Sequence, residues 1–384
     1  MKTLILSCNT GEGHNSCAKA IQEYYERQGK VCEIKDGLEF ISVSFSRFMS
    51  WGHSFVYRHL PWLFNAGYFY TEKHPAVFHE GSAAYKLITR GTEGLYRYIA
   101  EGAYDAVICT HVFTALMVTA MQKEYSLKIV TGYVSTDYTC SPSTKDSCLD
   151  YYFIPDESFA QEFECRNIPQ EKMIASGIPV RQMFYTGHPK TEAKIRAGIR
   201  PTQKHLLMMC GSMGCGPMEN LLKELVEGQK EDWVITVICG RNEKLKNKLD
   251  KKYGQNVNVH IRGFVKDMSL LMDSADLYAT KPGGISVSEA AVKELPMVLI
   301  DAVAGCEKYN RIYFVNGGGA KTGSKLKELT KSCVAILGDT EILLKMKENL
   351  AAMGGNNASQ YIYETMKEGV ERIGGIQKKE KTEV

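Results

Sequence analysis

Short runs of consecutive apolar residues, each followed by a stretch with helical spacing, recur along the chain. Thr3–Ser7 reads as a strand buried on both faces, leading through Cys8–Gly13 into an amphipathic helix from about His14 to Gln28. Val31–Lys35, Tyr104–Thr110, Lys128–Val134 and Tyr151–Ile154 are further strands, with a helix over Ala115–Glu124. A second alternation begins after residue 202: strand Leu206–Cys210, helix Pro217–Gln229, strand Trp233–Cys239 and helix Glu243–Lys252. Val257–Ile261, Leu277–Thr280 and Met297–Ile300 complete its strands. Strands that are apolar without alternation, joined by helices, predict parallel sheets covered on both faces. Each half is therefore expected to be a doubly wound α/β unit that binds its ligand at the carboxyl ends of the strands. Gly and Pro cluster between Gly177 and Pro201. The expected division is a first domain over 1–190, a linker over 191–202, a second domain over 203–372 and a charged tail over 373–384.

The length of 384 residues suits two such domains. Hydrophobic residues at 44% and charged ones at 24% exclude a largely disordered chain. The net charge of +3 is too small for a nucleic-acid footprint. The 12 cysteines show neither a CxxC pair nor a Cys/His ligand spacing, so no metal site is expected and reduced cytoplasmic thiols fit. Met1–Asn9 runs straight into a Gly-rich turn with no basic leader, so no cleaved signal is expected. The longest charge-free stretch, Ala106–Gln122, is too short to cross a bilayer.

One segment departs from this rhythm. Of the 38 aromatic residues, 13 fall between Phe40 and Tyr85, and no Asp or Glu occurs from Phe40 to Thr71. Arg47, His53, Arg58 and His59 supply donors there. Trp51, Phe55 and Trp62 among basic partners suit the headgroup boundary of an anionic membrane. Packing of the same aromatics onto their own domain or onto a partner is the alternative.

The strongest chemical signal lies in the second half. The strand ending at Thr280 is followed by Lys281-Pro282-Gly283-Gly284-Ile285-Ser286, a helix carrying Glu289, and then Pro296–Ile300. Two glycines let a ligand approach the backbone, and the helix start directs free N–H groups at it. That is an anion site suited to a diphosphate, with Glu289 placed to accept hydrogen bonds from vicinal ribose hydroxyls. In the first half, Ser7–Asn15 (SCNTGEGHN) places Gly11 and Gly13 in a turn and His14 at a helix start. Val134–Tyr138 (VSTDY) puts Asp137 at the end of another strand.

These stretches resemble the GT-B glycosyltransferases, and Ser176–Arg181 (SGIPVR) and Cys210–Pro217 (CGSMGCGP) resemble one branch in particular. That branch is glycosyltransferase family 28, with monogalactosyldiacylglycerol synthase and processive diacylglycerol β-glucosyltransferase. The resemblance runs from Thr3 to about Glu371. It implies two Rossmann-like domains facing a central cleft, the first for the acceptor and the second for the donor. Arg262–Val265 is similar to the family's uracil-contacting loop, and Val303–Asn310 to its nucleotide-sugar loop. The donor-binding residues implied are Gly211, Ser212, Met213, Arg241, Gly263, Phe264, Val265, Lys281, Gly283, Gly284, Ile285, Ser286, Glu289, Glu307 and Asn310. Gly11, Gly13, Trp51, Phe55 and Trp62 fall on the acceptor and membrane side. The catalytic candidates are His14 and Asp137. A neutral His with a pKa near ~6.5 suits the base, with Asp137 as partner or substitute.

The activity implied is an inverting transfer of a hexose from a UDP-sugar to a membrane lipid, most simply diacylglycerol. No cofactor or metal is expected, the UDP-sugar being the donor substrate. The enzyme would lie on the inner face of the cell membrane, against an anionic surface. Three other readings share the fold: a UDP-N-acetylglucosamine-using transferase of peptidoglycan, a UDP-sugar 2-epimerase, and a nucleotide-sugar-binding protein without turnover. Oligomeric state is not legible.

Overall fold

The structure, a computed structural model, describes residues 1–209, 218–228, 233–300, 305–354 and 356–382, without the side chains of 54, 57–59, 61, 75 and 375–382. Its first sheet holds β1 (Lys2–Ser7), β2 (Val31–Asp36), β3 (Ala106–Cys109), β4 (Val130–Val134), β5 (Tyr151–Ile154) and β6 (Met173–Ala175). The strands pair in parallel in the order β2-β1-β3-β4-β5-β6. The helices of this half are α1 (Glu12–Arg27), α2 (Val43–His59), α3 (Pro61–Lys73), α4 (Ala83–Ile88), α5 (Thr92–Glu101), α6 (Val112–Glu124) and α7 (Ala160–Glu164). Leu4, Ile5 and Leu6 of β1 and all of β3 are buried, as expected of central strands covered on both faces.

The second sheet holds β7 (Lys204–Met209), β8 (Trp233–Ile238), β9 (Val259–Arg262), β10 (Leu277–Thr280), β11 (Met297–Leu299) and β12 (Ala320–Thr322). Its order is β12-β11-β10-β7-β8-β9, again all parallel. Helices α8 (Lys190–Arg196), α9 (Met218–Glu227), α10 (Glu243–Tyr253), α11 (Met268–Ser274), α12 (Gly284–Val292), α13 (Cys306–Asn316), α14 (Leu326–Gly338) and α15 (Thr340–Met353) follow in chain order, and α16 (Ala358–Thr382) is the last. Numbered within its own half, this sheet runs 3-2-1-4-5-6, the order of dinucleotide-binding domains. The expected pair of doubly wound units is the observed architecture. The short edge strands β6 and β12 were not foreseen.

The chain divides into one unit of Met1–Gln182, Ala304–Cys306 and Asn356–Val384, and another of Met183–Val303 and Glu307–Gly355. Two expectations change. Residues 191–202 are not a loose linker, because most of α8 lies there and is pinned within the second unit. Lys194 Nζ bonds Gln203 O at 2.6 Å and Asp276 Oδ2 at 3.0 Å, while Lys190 Nζ reaches Asp276 Oδ1 at 2.9 Å. The last helix, expected with the second domain, belongs to the first. A Cβ on Gly132 of β4 would meet Met366 Sδ at 3.1 Å, and one on Gly369 would meet Val130 Cγ1 at 3.0 Å. Lacking those atoms, α16 lies directly on β4, with Tyr363 packed edge-on against Tyr25 of α1 at 5.0 Å.

Candidate active site

In an open parallel sheet, ligands bind where the strand order reverses, at the carboxyl ends of the strands. In the first unit that point lies between β1 and β3, and His14 is there. Gly11 is the extended N-cap residue of α1, is exposed, and has nothing within 4 Å of where a Cβ would stand. Gly13 and His14 follow in the first helical turn, both half-buried.

The His14 ring is held from two other strands. Its Nδ1 lies 2.8 Å from the Thr110 carbonyl oxygen just past β3, and 3.2 Å from Thr136 Oγ1 just past β4. A carbonyl only accepts, so Nδ1 carries the proton and the Nε2 lone pair remains to accept one. Enclosure of the ring takes its pKa from the ordinary 6.5 down to about 4, opposed by the bond to Thr110 and helped by His53. This corrects the expected value near 6.5: the group is uncharged well below neutral pH, at the cost of being a weaker base. Asp137 lies one residue beyond Thr136, partly buried, with its backbone carbonyl accepting from Ser135 Oγ at 3.0 Å. The hydroxyl of Thr136 is what reaches His14 Nδ1 there.

Sequence reasoning passed over Thr110, Thr136 and His111. The His111 ring packs edge-to-face on His14 with centroids 4.6 Å apart. The signal available was that Thr110-His111 ends a strand and opens a helix, as Ser7–His14 does.

A hydrogen-bonded chain ties this loop to α2. Ser7 Oγ donates to Asn15 Oδ1 at 2.7 Å, Asn15 Nδ2 to Asn9 Oδ1 at 2.9 Å, and Asn9 Nδ2 to Asp36 Oδ2 at 2.9 Å. Buried Ser46 of α2 donates to the same Asp36 oxygen, and the Leu38 amide to the other at 3.0 Å. Asp36→Ala strips these donors of their acceptor. We expect a loss of about 2 kcal/mol, read as a thermal midpoint several degrees lower. An unchanged midpoint would mean the network holds nothing.

Beyond that anchor, α2 and α3 turn aromatics outward. Trp51, Phe55 and Trp62 are 63%, 42% and 66% exposed, beside Phe48 at 64%. Trp51 and Phe55 stack at 5.3 Å, forming one apolar face. Among the described residues no helix is long and apolar enough to cross a membrane.

In the second unit the strand order reverses between β7 and β10. Gly211, Ser212 and Met213, after β7, lie outside the described residues. After β10, Lys281 is buried, Gly283 is the N-cap of α12, and Gly284, Ile285 and Ser286 form its first turn. Its N-cap residue is a glycine with no side chain to cap it, and a helix start directs its leading N–H groups outward, where an anion can accept from them. Glu289 sits half-buried further along the helix.

Arg241 and Phe264, far apart in sequence, come together with the guanidinium carbon 5.9 Å from the ring centroid. Gly263 and Val265 flank Phe264, itself 61% exposed. Glu307 opens α13, partly buried. Asn310, on α13, is tied to the turn before Gly283. It is fully buried, and its Nδ2 donates to the Pro282 carbonyl at 2.9 Å, which braces that turn.

Comparison with known proteins agrees with this layout. The family model for monogalactosyldiacylglycerol (MGDG) synthase matches residues 14–180, and that for glycosyl transferases group 1 matches residues 218–353. A processive diacylglycerol β-glucosyltransferase of Bacillus subtilis (strain 168) is 27% identical over 391 residues, covering 98% of this chain and 97% of its own. A probable chloroplastic monogalactosyldiacylglycerol synthase of Glycine max is 30% identical over 352 residues, covering 86% of this chain and 64% of its own. Among solved structures, MurG of Acinetobacter baumannii superposes with a TM-score of 0.63 at 15% identity, over 96% of this chain and 100% of its own. That last likeness speaks to the fold. With one glycosyltransferase model over part of each half and relatives matched along nearly the whole length, the chain is similar to monogalactosyldiacylglycerol synthase and processive diacylglycerol β-glucosyltransferase, as the sequence resemblance implied.

Proposed function

We propose that this enzyme moves a hexose from a UDP-sugar to a hydroxyl of diacylglycerol, inverting the anomeric carbon and using no metal ion. The observation that carries the reading is His14, a neutral imidazole whose Nδ1–H is committed to a backbone carbonyl, leaving Nε2 as a proton acceptor. The acceptor oxygen bonds to the anomeric carbon as the bond to the diphosphate oxygen breaks on the opposite face. The electron pair leaves with UDP and the hydroxyl proton ends on Nε2. One displacement inverts the centre.

On the donor side, the start of α12 at Gly283 offers N–H groups and a positive helix end to the diphosphate, and Lys281 adds a cation shortly before it. These groups can offset the charge that grows on the leaving group, which is the task a metal performs in other transferases. Glu289 would hold the ribose hydroxyls, and Arg241 with Phe264 would face the base. The lipid acceptor favours a peripheral position on the inner face of the cell membrane. The relatives named for diacylglycerol support that acceptor, and the outward aromatics of α2 and α3 support the surface.

The test is incubation with a panel of UDP-sugars and vesicles containing diacylglycerol, with and without chelator, and products identified by mass spectrometry. A hexosylated diacylglycerol formed equally with chelator is expected. Turnover abolished by chelator with the fold intact would overturn metal independence. Conversion of the UDP-sugar without any lipid would favour an epimerase.

A further inference from the structure

Strand β3 ends at Cys109, and the next two residues both meet the His14 ring. Thr110 offers its carbonyl to Nδ1, and His111 packs its ring against the imidazole at 4.6 Å with the planes 69° apart. His111 is itself held on the far side. It is the N-cap residue of α6, and its Nδ1 accepts the Phe113 amide at 3.1 Å. The Phe113 ring lies 4.7 Å from its own. With Nδ1 used as an acceptor, the proton of neutral His111 is on Nε2.

The contacts to Thr110 and Thr136 both meet the ring at one atom, Nδ1, so they fix a point on it and leave its plane free to swing. A second ring clamped by a helix start removes that freedom. We propose that His111 is a positioning residue: a wedge, locked by the first turn of α6, that holds the plane of His14 so that Nε2 stays directed at the acceptor hydroxyl. The inference rests on the reading of His14 as the base. Its energetic logic is that misplacing a reacting group by about 1 Å can cost about 10²-fold in rate.

Two substitutions separate the wedge from the cap. His111→Asn keeps a side-chain oxygen able to cap α6 but removes the ring. His111→Phe keeps a ring against His14 but removes the acceptor for the Phe113 amide. With purified enzyme, a UDP-hexose and diacylglycerol vesicles, His111→Asn should lower kcat about 10- to 100-fold. Its KM for the donor should stay within about two-fold, since the donor residues lie on the other unit. His111→Phe should lose less than about ten-fold in kcat while its thermal midpoint falls.

A His111→Asn enzyme with wild-type kcat overturns the proposal. So does a His111→Phe enzyme that loses as much kcat as His111→Asn while still folded, because a ring nitrogen would then be the requirement. An active His14→Gln enzyme would instead remove the base on which the inference rests, so the two failures are told apart.

Discussion

His14→Gln is expected to lower kcat by about 10²- to 10⁴-fold, the usual contribution of a positioned general base. The amide keeps hydrogen-bonding capacity beside Thr110 but cannot take the acceptor's proton. Donor affinity should hold, because the residues proposed for the diphosphate sit around Lys281 and Gly283 of the other unit. The pH dependence adds a second signature. Enclosure holds the folded-state pKa near 4, below the ordinary 6.5, so the imidazole is neutral throughout the cellular range. The rate should therefore be level with respect to this group from about pH 6 to 8 and fall only in more acid solution.

Stability follows the same linkage. As pH drops below 6.5 the unfolded chain takes up a proton that the folded site refuses until about pH 4, so the wild type loses stability across that window. His14→Gln should lack that component. A variant retaining full kcat, or a wild-type rate falling away already below pH 7, would remove His14 as the base.

The second large effect concerns the membrane. Replacing Trp51, Phe55 and Trp62 together with Ser removes three large apolar side chains, each more than two-fifths exposed. Transferring one such side chain fully out of water is worth about 1.5–3 kcal/mol. With roughly half of each available, the three sum to about 3 kcal/mol, or about 100-fold in partitioning. Sedimentation with anionic liposomes should retain the wild type and release the triple variant. Equal pelleting would return the aromatic face to the bland alternative, a surface that packs on a protein.

How much of this was legible in the chain depended on where each residue's partners came from. The central strands β1, β3, β7 and β10 were readable because burial on both faces leaves an unbroken apolar run. Three-residue β6 and β12 are too short for such a run to stand out. They are half-exposed in part and held by one neighbouring strand each. The Gly/Pro-rich stretch read as a linker is punctuation around a helix: Pro189 precedes α8, and Gly198, at φ +79°, follows it.

At the active site, the local pattern around His14 and Gly283–Ser286 identified both anchors. It could not show the tautomer of His14, which depends on Thr110 and Thr136, 96 and 122 residues away in sequence. Nor could it place Asn310, whose partner carbonyl at Pro282 lies 28 residues upstream.

The return of α16 to β4 bears on how the molecule comes into being. A ribosome delivers residues 1–182 first, yet the helix that covers Gly132 and abuts Tyr25 is made only after the other unit has been synthesised. The nascent first half must wait with the sheet uncovered over β4 while its successor completes itself, so vectorial synthesis alone does not finish the earlier half.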